Sequence, residues 1–337
     1  MRCDHRALLS NGLMILRTFF QALLLVFVAG LDLIGSVAGA ETLIVLNSGD
    51  ATLSIIDRET RKSVGLVNTG KEPHHLMATP DDRSLIIASS ASNELLFVDP
   101  RSGAVQRRIR DIADPYQIGY SPDGKWFVAN AFRLNHVDIY SAADFTLAKR
   151  IPLGKLPSHL AFDRSSRFVF VTLQDSRKLA AIDLATQAVA WELEVGDTPA
   201  GVWMTPDDRH LLVGVMGAGD VAVVDWRTRQ IVKRIVTDRG AHNFQALGDG
   251  RHVFVSNRSA NTVSLIDQQT LAVVKTFKTP SGPDCMEVSA DRKELWLTAR
   301  WARKVAVFDI DSGKLKFTIP VGRSPHGLFF LSHAPRV

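Results

Sequence analysis

The residues with chemistry to offer in this chain stand in two sets that step by 42 positions. After each of Pro73, Pro115, Pro157, Pro199, Ala241, Pro283 and Pro325 comes one of His74, Tyr116, Ser158, Ala200, His242, Asp284 and His326. The next position reads His75, Gln117, His159, Gly201, Asn243, Cys285 and Gly327. Five of the ten histidines of the chain fall in these two sets. His74, His242 and His326 with Asp284 are the donor types that zinc and copper take, and His75, His159 and Cys285 extend the set. The bland alternative is a polar, water-filled channel in which each imidazole bonds a neighbouring loop.

A second group suits a flat anion. Arg133, Arg258 and Arg300 carry planar guanidinium forks that match carboxylates, while Tyr116 and Trp301, with Phe132 beside them, offer stacking planes. A tetrapyrrole has both features. A solvated basic rim with scattered aromatics explains the same residues without a ligand. A third reading makes Asp284 a general base paired with His242 or His326, with Arg258 or Arg300 as substrate anchor, in a hydrolase of lactonase type. The sequence contains no Gly-rich phosphate loop, no His-Glu-x-x-His, no paired-cysteine zinc pattern and no Gly-x-Ser-x-Gly turn, which excludes the commonest alternatives.

All three readings require residues from 74 to 326 to meet, so the elements carrying them matter most. Asp57, Asp99, Ser141, Asp183, Asp225, Asp267 and Asp309 repeat at the same 42-residue step, each closing an alternating apolar run. A period of about 40 residues with several short strands is the pattern of a β-propeller blade. In the second unit, alternation and turn chemistry predict strands over Gln117 to Ser121, Trp126 to Ala129, His136 to Tyr140 and Thr146 to Pro152. Seven units predict an all-β, seven-bladed propeller of four-stranded antiparallel sheets. The first unit lacks an innermost strand and the last has nothing after its own. Thr42 to Leu46, Thr52 to Ile56 and Ser63 to Thr69 are therefore expected to share a blade with His326 to Leu331, which hides the edges that an open ring would expose. Alternation also predicts that only one of the two axial sets points inward.

Residues 1 to 40 stand outside the repeat. Arg2, Arg6 and Arg17 precede an apolar run from Phe19 to Val28, and Ala38-Gly39-Ala40 offers small residues at a cleavage site. This reads as a cleaved secretory signal, with Met14 as an alternative start, followed by a single propeller domain over 41 to 335. A periplasmic or secreted protein with no span in its mature chain follows. Cys3 leaves with the signal, so Cys285 has no intramolecular partner and disulfides do not hold the fold. The formal net charge of +5, without clusters of Lys and Arg, argues against nucleic acid as a partner. A closed ring predicts a monomer.

Phe254-Val255-Ser256-Asn257 with Asn261-Thr262-Val263-Ser264-Leu265-Ile266-Asp267, Ser121-Pro122-Asp123-Gly124, and Val321-Gly322 with Pro325-His326-Gly327 resemble the YVTN-type β-propeller repeat family. The resemblance covers nearly all of residues 42 to 331 and implies the fold, with bacterial periplasmic and archaeal surface-layer proteins as its settings. Leu173-Gln174-Asp175-Ser176 and Val215-Met216-Gly217-Ala218 depart from the Asn-containing loop. The chain also resembles, distantly, the propellers of cytochrome cd-type nitrite reductase and nitrous-oxide reductase, which bind haem and a copper cluster, although it matches no ligand motif of either. These resemblances imply a binding propeller with copper, zinc or a tetrapyrrole at its funnel, accessory to a periplasmic redox or maturation protein. A funnel hydrolase and a scaffold whose rim binds another protein remain open beside it.

Overall fold

Reversing a chain within a few residues calls for one residue in the left-handed region, and this chain places such residues at fixed intervals. Arg61, Gly103, Phe145, Gln187, Arg229, Leu271 and Gly313, each 42 residues from the next, all have φ between 51° and 71°. The closing aspartates hold these hairpins. Asp57 Oδ1 accepts from the Thr60 amide at 2.7 Å and Asp309 Oδ1 from the Ser312 amide at 2.7 Å. Asp183 Oδ1 takes the Ala185 and Thr186 amides at 2.9 and 3.0 Å. This is the local side-chain bonding that suits Asp to turns. A second left-handed set, Glu72, Asp114, Leu156, Thr198, Gly240, Gly282 and Ser324, immediately precedes the seven innermost strands.

The computed structural model describes residues 41–336; the expected signal segment lies outside them. Within these residues the 28 strands form seven four-stranded antiparallel sheets. The innermost strands are Pro73–Ala78, Pro115–Tyr120, Pro157–Phe162, Pro199–Met204, Ala241–Ala246, Pro283–Val288 and Pro325–Phe329. Each stands beside the next around one axis, and the last adjoins the first. Closure is as expected: Pro325–Phe329 pairs with Thr42–Asn47, which continues into Thr52–Asp57 and Lys62–Asn68. Strands of the second unit, Pro115–Tyr120, Trp126–Ala131, His136–Ser141 and Leu147–Pro152, fall within two residues of their predicted bounds.

The two middle strands of a blade are covered on both faces, hence their near-continuous apolar runs. The core consists of layers between neighbouring blades. In one, Ile86, Leu95 and Phe97 of one blade pack on Ile118, Phe127 and Tyr140 of the next. Among the described residues no helix is long and apolar enough to cross a membrane.

One irregularity decides what reaches the axis. Pro115 pairs with Ala131 and Ile118 with Ala129, so three steps on the inner strand oppose two on its neighbour. The same β-bulge recurs at the start of all seven innermost strands. A bulge sets two successive residues against one partner and re-aims their side chains. The expectation that alternation sends only one set inward is therefore corrected: members of both sets converge on the axis. The amide freed by the bulge finds a hydroxyl. His159 N donates to Thr172 Oγ1 at 3.0 Å, Asn243 N to Ser256 Oγ at 3.1 Å, and Cys285 N to Thr298 Oγ1 at 3.1 Å. Thr172 and Thr298 then donate across to the next blade, to the Ala200 and His326 carbonyls at 2.6 and 2.7 Å.

Neighbouring bulges pass so closely that Gly201 has no room for a side chain, since a Cβ there would lie 1.8 Å from the His242 carbonyl oxygen. Gly124, at φ 69°, faces open space. Gly201→Ala is expected to cost about 3 kcal/mol or more, as overpacking against backbone. Gly124→Ala should cost about 1 kcal/mol, from backbone conformation alone. Urea denaturation of the two variants gives both values; equal losses would contradict this view of the axis.

Candidate functional site

The bulged positions build a septum across the axis. His74 stacks on Tyr116 with ring centroids 3.6 Å apart, and Tyr116 stacks on Phe132 at 4.3 Å. His74 lies 4.3 Å from His326, and His75 lies 5.0 Å from His326 and 5.3 Å from His159. His159 completes the crossing, 4.9 Å from His242. Residues distant in the chain thus share one small volume.

Asp284 anchors one side of it. The residue is 0 % exposed. Arg258 Nη2 donates to its Oδ2 at 2.8 Å, Arg300 Nη1 reaches the same oxygen at 3.3 Å, and Asn243 Nδ2 donates to Oδ1 at 2.9 Å. Burial alone would raise this carboxyl, but Arg258, with His326 and His242, outweighs it and holds Asp284 well below the usual range. A carboxylate held so low is a weak general base. The trio proposed for a hydrolase does meet, with His242 Nδ1 3.4 Å from Asp284 Oδ1, yet its electrostatics are those of a fixed ion pair.

The imidazole nitrogens divide into two kinds. His242 faces Asp284 through Nδ1 and accepts from Arg258 Nη2 through Nε2 at 2.9 Å, so both its nitrogens are engaged. His74 Nδ1, His75 Nε2, His159 Nε2 and His326 Nε2 are buried and, among the described residues, have no hydrogen-bond partner. One ligand atom each from His74, His75 and His326 lie within 4.8 Å of one another, as do those of Asp284, Cys285 and His326. Nitrogens bound to one tetrahedral ion at about 2.1 Å stand roughly 3.4 Å apart, a spacing inside that bound. Of the residues singled out in sequence, His74 and His326 come together. His75 joins them, whereas His242 belongs to the ion pair.

Burial disfavours the charged imidazolium throughout. It pushes His75 down to about 3, and burial with the Arg258 charge brings His242 to about 4. His74, His159 and His326 lie well below their ordinary value for the same first reason, helped by neighbouring histidines. All five are neutral at pH 7, the form that binds metals. Burial also raises Tyr116 to about 12 and lifts the Cys285 thiol well above its ordinary value.

A cavity lies on either side of the septum. The upper one, about 350 Å³, opens among the turns that precede the innermost strands and is lined by His74, Tyr116, Phe132, Arg133, Arg300 and Ser48, among others. Arg133 is committed there, its Nη2 2.6 Å from Asp114 and its Nη1 2.5 Å from Glu72. Trp301 is 55 % exposed and packs beside Gly282, outside the residues lining this cavity. The lower cavity, about 320 Å³, is lined by His75, Cys285, Gln117, Asn243, Gln245 and Glu287, with Arg336 at its edge. Burial raises the Glu287 carboxyl to about 7 against the pull of Arg336. Sequence reasoning did not single out Glu287, Gln245 or Arg336. The first two sit two positions past the bulge, where pleat alternation restores the same face, and that signal was readable.

The profile of a family described as YNCE-like beta-propeller matches residues 9–336. No curated protein matches the chain. Among solved structures, a functionally unknown protein from Desulfotomaculum acetoxidans DSM 771 aligns with a TM-score of 0.74 and 16% identity, over 87% of this chain and 99% of that one. The dihydro-heme d1 dehydrogenase NirN, in complex with DHE, aligns at 0.65 and 18% identity, over 86% and 75%. Hydrazine synthase from Kuenenia stuttgartiensis aligns at 0.64 and 17%, over 75% and 87%. At these identities the likeness carries the fold alone.

The neutral histidines set a pH dependence. Their folded values are depressed, so the unfolded chain binds more protons below its ordinary value near 6.5 and stability falls as the pH is lowered. Their contribution is complete at pH 7 and drains away between about 6.5 and 3. Each such histidine steepens the decline by about 1.4 kcal/mol per pH unit. Urea midpoints in the presence of a chelator should drop steeply from pH 7 to pH 4, and less steeply in His159→Gln. A flat profile would contradict the buried, neutral cluster.

Proposed function

The chain belongs to the YNCE-like β-propeller family, and on that premise we propose that it is a ligand-binding propeller holding a copper or zinc ion at its axis on His74, His75 and His326. The observation that carries this reading is the set of four buried imidazole nitrogens at the axis without hydrogen-bond partners among the described residues, three of them on these residues. Buried polar atoms are nearly always paired, and neutral imidazole nitrogens within 4.8 Å of one another are donors that a borderline metal ion takes. Cys285 Sγ, 3.4 Å from His326 Nδ1, adds a soft donor beside the set. Asp284, with its Arg258 partner, positions this wall rather than acting as a base. The ion is a resident one, and the propeller serves as a non-catalytic accessory to redox or cofactor maturation.

The setting belongs to the same proposal. Residues 1 to 40 direct export as a cleaved signal, the domain begins at residue 41, and the mature protein is a periplasmic or secreted monomer that meets a redox or maturation partner there. A second reading draws on the stack of His74, Tyr116 and Phe132 beside Arg300 in the upper cavity. Those residues suit a flat anion lying against the septum, and one protein of this fold, NirN, is described in complex with DHE.

Elemental analysis of protein purified from its own compartment should find about one copper or zinc per chain. His74→Ala with His326→Ala should lower affinity for the added ion by 100-fold or more, while His242→Gln changes it far less, since His242 spends its nitrogens elsewhere. A metal-free chain that binds neither ion overturns the reading, and an absorption band without metal would favour the flat anion.

A further inference from the structure

The two cavities flanking the septum differ in chemistry. In the upper cavity the guanidinium of Arg300 is part of the lining, and the Asp284 oxygen it shares is already held by Arg258 at 2.8 Å. Tyr116 stacked between His74 and Phe132 walls off that side. A cation approaching from above therefore meets guanidinium, aromatic rings and two carboxylates, Glu72 and Asp114, that Arg133 already pairs at 2.5 and 2.6 Å.

The lower cavity is lined by acceptors. Glu287 is 4 % exposed and contributes a carboxylate. Gln245 donates its amide to that carboxylate at 3.0 Å, which leaves its carbonyl for the cavity. Asn243 likewise spends its amide on Asp284 at 2.9 Å and on Cys285 Sγ at 3.4 Å, leaving a second carbonyl. His75 and Cys285 form the roof of the same cavity. A run of oxygens thus leads to sulfur and nitrogen at the septum, hard donors first and softer ones last.

One cation stands at the lower mouth. Arg336, near the chain end, lies 3.7 Å from Glu287 Oε2 and 3.5 Å from Asp82 Oδ1, with 40 % of its side chain exposed. These separations exceed a direct hydrogen bond, so Arg336 is a loosely held counter-ion that an incoming cation can replace.

Resting on the metal reading above, we propose that the ion reaches the histidines from the lower face only, through a loading vestibule made by Glu287, Gln245 and Asn243, with Arg336 as its displaceable cover. Its ligand class is a divalent cation of the zinc type, captured by carboxylate and carbonyl oxygens and passed to His75 and its neighbours. The vestibule sets the rate of loading, whereas the histidines set the final affinity.

Stopped-flow mixing of chelator-stripped full chain with Zn²⁺ and a fluorescent zinc indicator, at pH 8 and low ionic strength, tests this. Glu287→Gln should lower the association rate constant about tenfold, the lower end of what local charge contributes, with zinc stoichiometry unchanged. Added salt should slow the wild type and barely affect the variant. Gln245→Leu is the second variant, should Glu287→Gln fold poorly, and should slow loading in the same sense. A chain ending at Pro335 should load faster. Ser48→Trp, which fills the upper cavity, should load at the wild-type rate. Equal rates for wild type and Glu287→Gln, or a Ser48→Trp variant as slow as Glu287→Gln, overturns the vestibule while leaving the metal site standing. A wild-type chain that takes up no zinc removes the metal reading, and this inference with it.

Discussion

The β-bulge at the head of each innermost strand is the feature on which the rest of this molecule depends. Without it, pleat alternation would send one residue of each pair to the axis and bury its neighbour between blades. With it, His74 and His75 both reach the septum, 4.9 Å apart between ring centroids. The bulge frees an amide, and the hydroxyls of Thr172, Ser256 and Thr298 take it up. Two of those hydroxyls also bond the next blade. The device that aims the side chains therefore helps lock the ring.

Gathering five neutral imidazoles at the axis opposes stability. Each must stay uncharged, and four keep a buried nitrogen with no partner among the described residues, which costs about 1–3 kcal/mol apiece in ordinary protein interiors. The inter-blade apolar layers and the closing sheet offset that cost. Asp284 shows the opposite solution on the same wall, a buried charge balanced by Arg258, Arg300 and an amide. A carboxylate so satisfied has little left to give a reaction. Unsatisfied lone pairs beside it are what a ligand can use.

Charge divides the two faces of the ring as well. Guanidinium, aromatic rings and the Arg133-paired carboxylates Glu72 and Asp114 line the upper cavity, and amide side chains with Glu287 and Arg336 line the lower one. The two cavities thus differ in lining, although the blades that build both are near copies. The difference comes from two or three positions per innermost strand, which the scaffold leaves free because they touch the axis rather than the inter-blade core.

The sequence by itself determined the architecture. A 42-residue step in Asp57, Asp99 and their successors fixes blade length, apolar alternation fixes strands, and a missing innermost strand at one end matched by a surplus one at the other fixes closure. These are local properties of turn chemistry and periodicity, so they survive without coordinates. It also marked His74 and His326 as neighbours, because ring order follows repeat order. Only the tertiary structure decided that His75 replaces His242 in the cluster. That outcome rests on a bulge, a one-residue register shift that leaves no mark in composition, and on Arg258 meeting His242 of its own blade and Asp284 of the next. The lining of the lower cavity was decided the same way, since Glu287 and Arg336, 49 positions apart, are brought to 3.7 Å only by the folded chain.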